Sequence, residues 1–145
     1  MHLITTNEFA NLKPGWRSIG GQDYYFRSNW EGNYACYLEW LKNNNQIKDW
    51  KHEPKTFWFE KIKRGVRSYL PDFFIIEKSG AEVYHEVKGN MDSKSKTKIN
   101  RMRIYYPEVK LIVIQRKEYA AIAKKARILV PGWVHDDHRR VHHFI

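Results

Sequence analysis

The stretch from Pro71 to Lys88 contains two carboxylates and an ammonium group at a spacing that suits phosphodiester chemistry. It reads Pro71-Asp72, then residues typical of strands, then Glu86-Val87-Lys88. Two hard oxygen ligands suit Mg²⁺ or Mn²⁺, ions that keep several waters when proteins bind them. Such an ion polarises a phosphate and acidifies bound water, while a nearby lysine orients that water. The pattern therefore predicts a metal-dependent nuclease, and the alternative is a surface hairpin with a solvent-facing Glu-Lys pair.

The second half of the motif lies on a strand candidate, residues 82–88. Its alternation of side chains predicts two faces, with Val83, His85 and Val87 on one and Tyr84, Glu86 and Lys88 on the other. Glu86 and Lys88 are then neighbours, about 7 Å apart along the strand.

The first half of the motif lies on another strand candidate, residues 66–76, which Pro71 interrupts. A proline cannot donate a ladder hydrogen bond, so it indicates an edge, a bulge or a strand start. The turn at residues 77–80 then closes a hairpin. We expect Asp72 and Glu86 on adjacent strands, and the sequence leaves their register open.

A helix candidate upstream contributes a third carboxylate, Glu31. Its apolar positions recur at helical spacing: Trp30, Tyr34, Tyr37, Leu38 and Leu41. Ser28 is a natural N-cap, and Glu31 follows it by three residues, as in a capping box. Glu31 is therefore either a capping residue or a metal ligand, and the two roles are compatible.

In their order and spacing, these segments resemble the PD-(D/E)XK nuclease superfamily. The resemblance is carried by Phe26-Arg27-Ser28-x-x-Glu31, Pro71-Asp72-Phe73 and Glu86-Val87-Lys88-Gly89. The chain is most similar to small phage endonucleases, including the Holliday-junction-resolving type, and to the catalytic domains of related transposase endonucleases. The likeness covers roughly residues 24–115.

The resemblance implies a role for each matching residue. It implies metal ligands at Asp72, Glu86, the Val87 carbonyl and Glu31. Lys88 would activate or position the attacking water. Glu53 resembles an extra acidic residue that some junction resolvases carry on the next strand, and the alternative for Glu53 is a solvent-facing side chain before a proline.

The resemblance also implies a fold, an α/β restriction-endonuclease-like core whose central mixed sheet is flanked by helices. The core comprises a helix, a three-stranded antiparallel meander, a second helix and a further strand. The sequence predicts these elements as a first meander strand from Lys51 to Glu60, the two motif strands, a helix from Lys94 to Tyr106, a strand from Lys110 to Gln115 buried on both faces, and a last helix from Glu118 to Ala126.

Composition favours an anionic partner, because 26 lysines and arginines outnumber 16 acidic residues and give a net charge of +10. Charge alone does not distinguish DNA from RNA or a membrane surface. Two basic groups bracket the acidic motif and predict a phosphate-binding surface. They are Lys61, Lys63, Arg64 and Arg67 before it, and Lys94, Lys96, Lys98, Arg101 and Arg103 after it. The alternative is a solvated loop and an exposed helix face.

The 145 residues predict a single nuclease domain, with a core at about residues 24–126 and a basic, histidine-rich segment at 127–145. That segment offers a competing metal site through His135, Asp136 and His138, although it lacks the spacing of a zinc finger. Cys36 is the only cysteine and cannot form an internal disulfide. No apolar run approaches the length of a membrane span.

From these observations we expect a Mg²⁺-dependent endodeoxyribonuclease in which Mn²⁺ substitutes for Mg²⁺. The sequence leaves open whether it acts on branched DNA, as a junction resolvase does, or is a nicking or flap enzyme, which could work as a monomer. A resolvase of this kind would be a homodimer, so that two sites meet two strands. We expect it in the cytoplasm, that of the host cell if a phage encodes it, with no membrane partner. The alternatives are a non-catalytic basic DNA-binding protein on the same fold and an RNA-processing nuclease.

Overall fold

The computed structural model describes residues 15–135, which form a mixed α/β arrangement of three helices and eight strands. The helices are α1 (Asn29–Asn43), α2 (Ser93–Tyr105) and α3 (Arg116–Leu129). The strands are β1 (Trp16–Ile19), β2 (Gln22–Tyr25), β3 (Ile47–His52), β4 (Phe57–Trp58), β5 (Ser68–Tyr69), β6 (Phe73–Glu77), β7 (Glu82–Val87) and β8 (Leu111–Ile114). None of the described helices is long and apolar enough to cross a bilayer.

The central sheet has four strands in the order β3-β6-β7-β8. Its first three strands are antiparallel, and β8 runs parallel to β7. A parallel neighbour requires a crossover connection, which α2 provides between β7 and β8. The hairpin of β6 and β7 turns at Gly80, whose φ of 93° favours glycine. The predicted hairpin is therefore confirmed.

The two faces of the sheet pack against two separate apolar clusters. On the first face, Val83 and Val87 of β7 join the cluster that contains residues of α1, α3 and β1. On the second face, Tyr84 joins the cluster that contains Met102 of α2 and Phe57 of β4. The alternation predicted for β7 is thus confirmed, and side chains at even-numbered positions of this strand face α2 and the ribbon of β4 and β5.

A buried arginine fixes the hairpin of β1 and β2 on α1. Arg17 is only 4% exposed, and its guanidinium donates to Asn33 Oδ1 at 2.8 Å and to the Gly132 carbonyl at 3.2 Å. Asn33 in turn accepts from the Val134 backbone N–H at 2.8 Å and donates to the Val134 carbonyl at 2.9 Å. These bonds anchor the chain that follows α3 against α1. Asp136 and His138, from the predicted histidine-rich metal site, lie outside the described residues.

The predictions for the first meander strand and for the burial of the last sheet strand were wrong. The strand that pairs with β6 is β3, and not a strand from Lys51 to Glu60. The apolar residues Phe57 and Trp58 form β4, which pairs with β5 in a separate ribbon. The interruption predicted at Pro71 is confirmed, because the chain changes sheet there and the segment forms two strands, β5 and β6. The last sheet strand lies at the sheet edge, with Ile112 36% exposed, so it is not buried on both faces.

Candidate active site

The carboxyl groups of Asp72 and Glu86 meet at one end of the central sheet. The register of β6 and β7 places Phe73 opposite His85, so Asp72 and Glu86 are the next facing positions. Asp72 is 9% exposed, and its Oδ2 accepts the Val87 backbone N–H at 2.8 Å. Burial raises the pKa of Asp72 well above its usual range, and the charge of Glu86 and a side-chain hydrogen bond with it add to this shift. The two acids of the sequence motif therefore interact directly.

Tyr69 orients the second carboxylate and was not identified from the sequence. Its hydroxyl donates to Glu86 Oε2 at 2.7 Å, and the tyrosine is only 2% exposed. Burial raises the pKa of Tyr69, and the charge of Glu86 raises it further, so the phenol stays protonated as a donor. The only sequence signal was its position three residues before Asp72, on the other side of Pro71.

Glu31 joins this group from the first turn of α1. Ser28 caps the helix, with its Oγ accepting the Glu31 backbone N–H at 3.2 Å, so half of the predicted capping box is present. The carboxylate instead accepts the Arg27 backbone N–H. Burial raises the pKa of Glu31 to about 7, and the charges of Glu86 and then Glu53 contribute to the increase. Its Oε2 is buried without a hydrogen-bond partner.

Glu53 and His52 extend the acidic group at the end of β3. Glu53 has a φ of 47°, in the left-handed region, and its backbone N–H donates to the Asp72 carbonyl at 2.8 Å. Its side chain is 27% exposed and its Oε1 lies 3.4 Å from His52 Nε2. Donor atoms of Glu31, His52 and Glu53 all lie within 4.8 Å of one another. The structure therefore brings Glu53 to the site, together with His52, which was not predicted as a site residue from the sequence.

Lys88 directly follows β7 and continues its pairing, with its backbone N–H donating to the Ile114 carbonyl at 2.9 Å. The alternation of β7 gives it the same face as Glu86. The pKa of Asp92, the N-cap of α2, is lowered mainly by the Ser95 backbone N–H and further by the charge of Lys88. The ammonium therefore lies near enough to the start of α2 to affect Asp92, whereas Lys88 is not among the charges that shift the pKa of Asp72 or Glu31.

The two predicted basic groups lie side by side, because α2 packs against the ribbon of β4 and β5 through the second apolar cluster. The Arg101 guanidinium donates to the Val66 carbonyl, which ties the helix to the loop between these strands. Lys98 and Arg101 are partly buried, and the remaining members are exposed: Lys61, Lys63, Arg64, Arg67, Lys94, Lys96 and Arg103. The structure thus brings the helix group and the loop group next to each other at Arg101, on elements that pack against the face of the sheet that carries Glu86.

The donor chemistry of the site fits a divalent cation. Asp72, Glu86 and Glu31 supply carboxylate oxygens, and the pKa values of Asp72 and Glu31 are raised by burial and by the charge of Glu86. Glu31 Oε2 has no hydrogen-bond partner although it is buried. Buried carboxylates are stable as anions when a cation or several donors compensate them. A hard ion with oxygen ligands would compensate these carboxylates. Among the described residues, however, the three donor atoms that lie within 4.8 Å of one another belong to Glu31, His52 and Glu53.

The described residues define a mixed α/β protein with a buried acidic site at one end of its central sheet. The chain belongs to the family described as "Protein of unknown function (DUF1064)", whose model matches residues 13–121. This span contains all the acidic residues of the site and extends from before β1 into α3. No curated protein matches the chain.

Proposed function

We propose that this protein is a Mg²⁺-dependent endodeoxyribonuclease with a restriction-endonuclease-like core of the PD-(D/E)XK type. The observation that carries the proposal is the direct interaction of the Asp72 and Glu86 carboxyl groups, with Glu31 near enough for its charge to raise the pKa of Asp72, although the three residues come from separate segments of the chain. The antiparallel strands β3, β6 and β7, followed by α2 and the parallel strand β8, agree with the element order that the resemblance implies.

Each residue of the site has a distinct task in this proposal. Asp72, Glu86, Glu31 and the Val87 carbonyl hold the ion, and Tyr69 keeps Glu86 in the orientation for binding. When bound, Mg²⁺ polarises the scissile phosphate and acidifies a water molecule beside it. Lys88 donates a hydrogen bond to the attacking water or neutralises the charge that develops on the phosphate. Mn²⁺ would substitute, because it accepts the same oxygen ligands.

The basic surface of α2 and the loop between β4 and β5 supports DNA as the substrate. Its exposed lysines and arginines belong to elements that pack against the face of the sheet that carries Glu86, and the whole chain has a net charge of +10. Contacts of this kind bind phosphates and position the duplex without reading its sequence. The surface would bring a phosphodiester to the acidic site and hold the strand on either side of it.

Cleavage assays with isosteric variants test the proposal. Asp72→Asn and Glu86→Gln should each abolish Mg²⁺-dependent cleavage of supercoiled plasmid and of a four-way junction. Both variants should bind DNA at least as tightly as wild type, because each removes a negative charge near the phosphates. Glu60→Gln, at an exposed position next to the basic loop, is the matched control. Full Mg²⁺-dependent cleavage by both site variants would refute the proposal.

The same assay separates the substrate classes. A junction resolvase would act as a homodimer on branched DNA and would cut a four-way junction faster than duplex or single strand. Equal cleavage of an RNA substrate would favour an RNA-processing nuclease. Binding of DNA by wild type without cleavage in Mg²⁺ or Mn²⁺ would favour the non-catalytic alternative.

A further inference from the structure

We propose that Glu31, His52 and Glu53 form a second cation site, which prefers a divalent transition-metal ion such as Mn²⁺ over Mg²⁺. One ligand atom from each of these residues lies within 4.8 Å of the other two. The inference rests on the proposed function only through Glu31, which both sites share. Two ions on adjacent carboxylates are a known arrangement in phosphodiester chemistry, where they clamp the attacking and leaving oxygens.

Two of the three donor atoms are buried without a hydrogen-bond partner. They are Glu31 Oε2 and His52 Nε2. The imidazole nitrogen lies 3.4 Å from Glu53 Oε1 but makes no hydrogen bond with it. A buried polar atom that lacks a partner costs about 1–3 kcal/mol, and native proteins rarely contain two in one place. A cation between the three residues would satisfy both atoms at once.

The protein holds these donors in place before any ion binds. The His52 ring packs against the rings of Phe26 and Phe73, with centroids 4.7 and 5.5 Å away. The Glu53 backbone is fixed by its hydrogen bond to the Asp72 carbonyl. Ligand atoms at about 2.1 Å from an ion are at most about 4.2 Å apart, so the most distant pair needs to close by roughly half an ångström. A rotation of the Glu53 side chain, which is 27% exposed, would achieve this.

The imidazole determines which ion the site prefers. Carboxylate oxygens alone suit Mg²⁺, Ca²⁺ and Mn²⁺, whereas imidazole nitrogen suits transition metals. Mg²⁺ retains its waters and rarely exchanges one for a nitrogen ligand. The Asp72 and Glu86 pair contains only oxygen donors, so the two sites should differ in selectivity even though they share Glu31.

Binding of Mn²⁺ without DNA tests the inference independently of cleavage. Titration of the full chain, with free Mn²⁺ measured by EPR, should detect two bound ions per wild-type chain. His52→Phe keeps an aromatic ring against Phe26 and Phe73 but has no donor atom, so it should lose one ion or bind it at least about 10- to 100-fold more weakly. Pulsed EPR should detect ¹⁴N coupling to bound Mn²⁺ in wild type and not in His52→Phe.

A second variant and two comparisons make the result decisive. Glu53→Gln changes a ligand without altering the aromatic core, and it should also weaken Mn²⁺ binding. Glu60→Gln, at an exposed position outside the site, should not. Unchanged Mn²⁺ affinity and ¹⁴N coupling in folded His52→Phe, or unchanged affinity in Glu53→Gln, would overturn the inference. Asp72→Asn should retain the nitrogen-coupled ion. If Asp72→Asn binds both ions normally while His52→Phe loses one, the second site stands and the proposed Asp72–Glu86 centre fails.

Discussion

Replacing Glu31 by glutamine should stabilise the metal-free protein at alkaline pH and leave its stability unchanged at acidic pH. The carboxylate is partly buried near Glu86 and Glu53, and its Oε2 has no hydrogen-bond partner. Burial, followed by these two charges, raises its pKa from 4.5 to about 7. Glutamine has the same shape, still accepts the Arg27 N–H and carries no charge.

The size and sign of the effect follow from this pKa shift. A carboxyl group whose pKa is higher in the folded state contributes stability below pH about 4.5, and this contribution is lost as the pH rises through about 7. At about 1.36 kcal/mol per pKa unit, the ionised wild type at pH 8.5 is less stable by about 3 kcal/mol. For a chain of this size, that difference corresponds to a Tm about 6–12 °C higher for Glu31→Gln.

Thermal unfolding in EDTA at pH 4.5 and pH 8.5 measures the effect, with Glu60→Gln as an exposed control. Mg²⁺ at about 100 times its Kd should remove most of this difference at pH 8.5. A ligand at 100 times its Kd stabilises the folded state by about 2.7 kcal/mol. Glu31→Gln lacks one of the proposed ligands, so Mg²⁺ should stabilise the variant by less than this. If Glu31→Gln melts at or below the wild-type temperature at pH 8.5 without divalent ions, the carboxylate is not destabilised by burial and our reasoning about the site is wrong.

Three further predictions concern the residues around the acidic group. Replacing Lys61, Lys63 and Arg64 together by alanine should reduce the salt dependence of DNA binding. The slope of log binding constant against log salt concentration should fall in magnitude by about 2–3, since each phosphate contact contributes about 0.9. Cleavage at saturating DNA should be retained. Tyr69→Phe removes the donor to Glu86 Oε2, so the Mg²⁺ concentration for half-maximal cleavage should rise about 10- to 100-fold; an unchanged requirement would contradict the orienting role. Trp58 is 54% exposed beside the basic loop, and Trp58→Ala should weaken binding of single-stranded DNA by about 1–3 kcal/mol while duplex affinity changes little, as fluorescence anisotropy would measure.

Local signals in the sequence were sufficient for most elements. Alternation over residues 82–88 and the turn ending at Gly80 correctly predicted the hairpin that carries the acidic motif. Helical spacing and the Ser28 cap located α1, and Pro107 ended α2 within about one residue of the predicted position. These features depend on residues close together in the chain, where side-chain period and capping chemistry act directly.

Long-range pairing could not be obtained in this way. The run Phe57-Trp58-Phe59 has the composition of a central strand, yet its first two residues pair only with β5. Whether a short apolar strand joins the main sheet depends on which distant segment competes for its backbone hydrogen bonds, and composition does not encode that choice. The hairpin of β1 and β2 was missed for a similar reason, because its buried Arg17 depends on partners in α1 and after α3.

The candidate site was predicted in its acidic residues but not in the groups that orient them. Asp72, Glu86 and Glu31 were identified by chemistry and spacing. Tyr69 and His52 have ordinary core composition around them, and only the tertiary contacts give their polar atoms a position at the site. For Glu53, the sequence left a solvent-facing side chain as the alternative to a role at the site. Its left-handed backbone is not evident from sequence, and in the structure its side chain lies near Glu31.

The break at Pro71 explains how one short segment organises the whole site. Because the chain changes sheet there, Tyr69 at the end of β5 lies beside Glu86, and Asp72 directly precedes β6. The Asp72 carbonyl accepts from Glu53 at the end of β3, and its carboxylate accepts from Val87 at the end of β7. Asp72 thus connects the chain after β3 to β7, through its backbone carbonyl on one side and its carboxylate on the other. The pKa of Asp72 is strongly raised at this position, so its charged form costs folding free energy. The two apolar clusters on the faces of the sheet supply the folding free energy that offsets this cost.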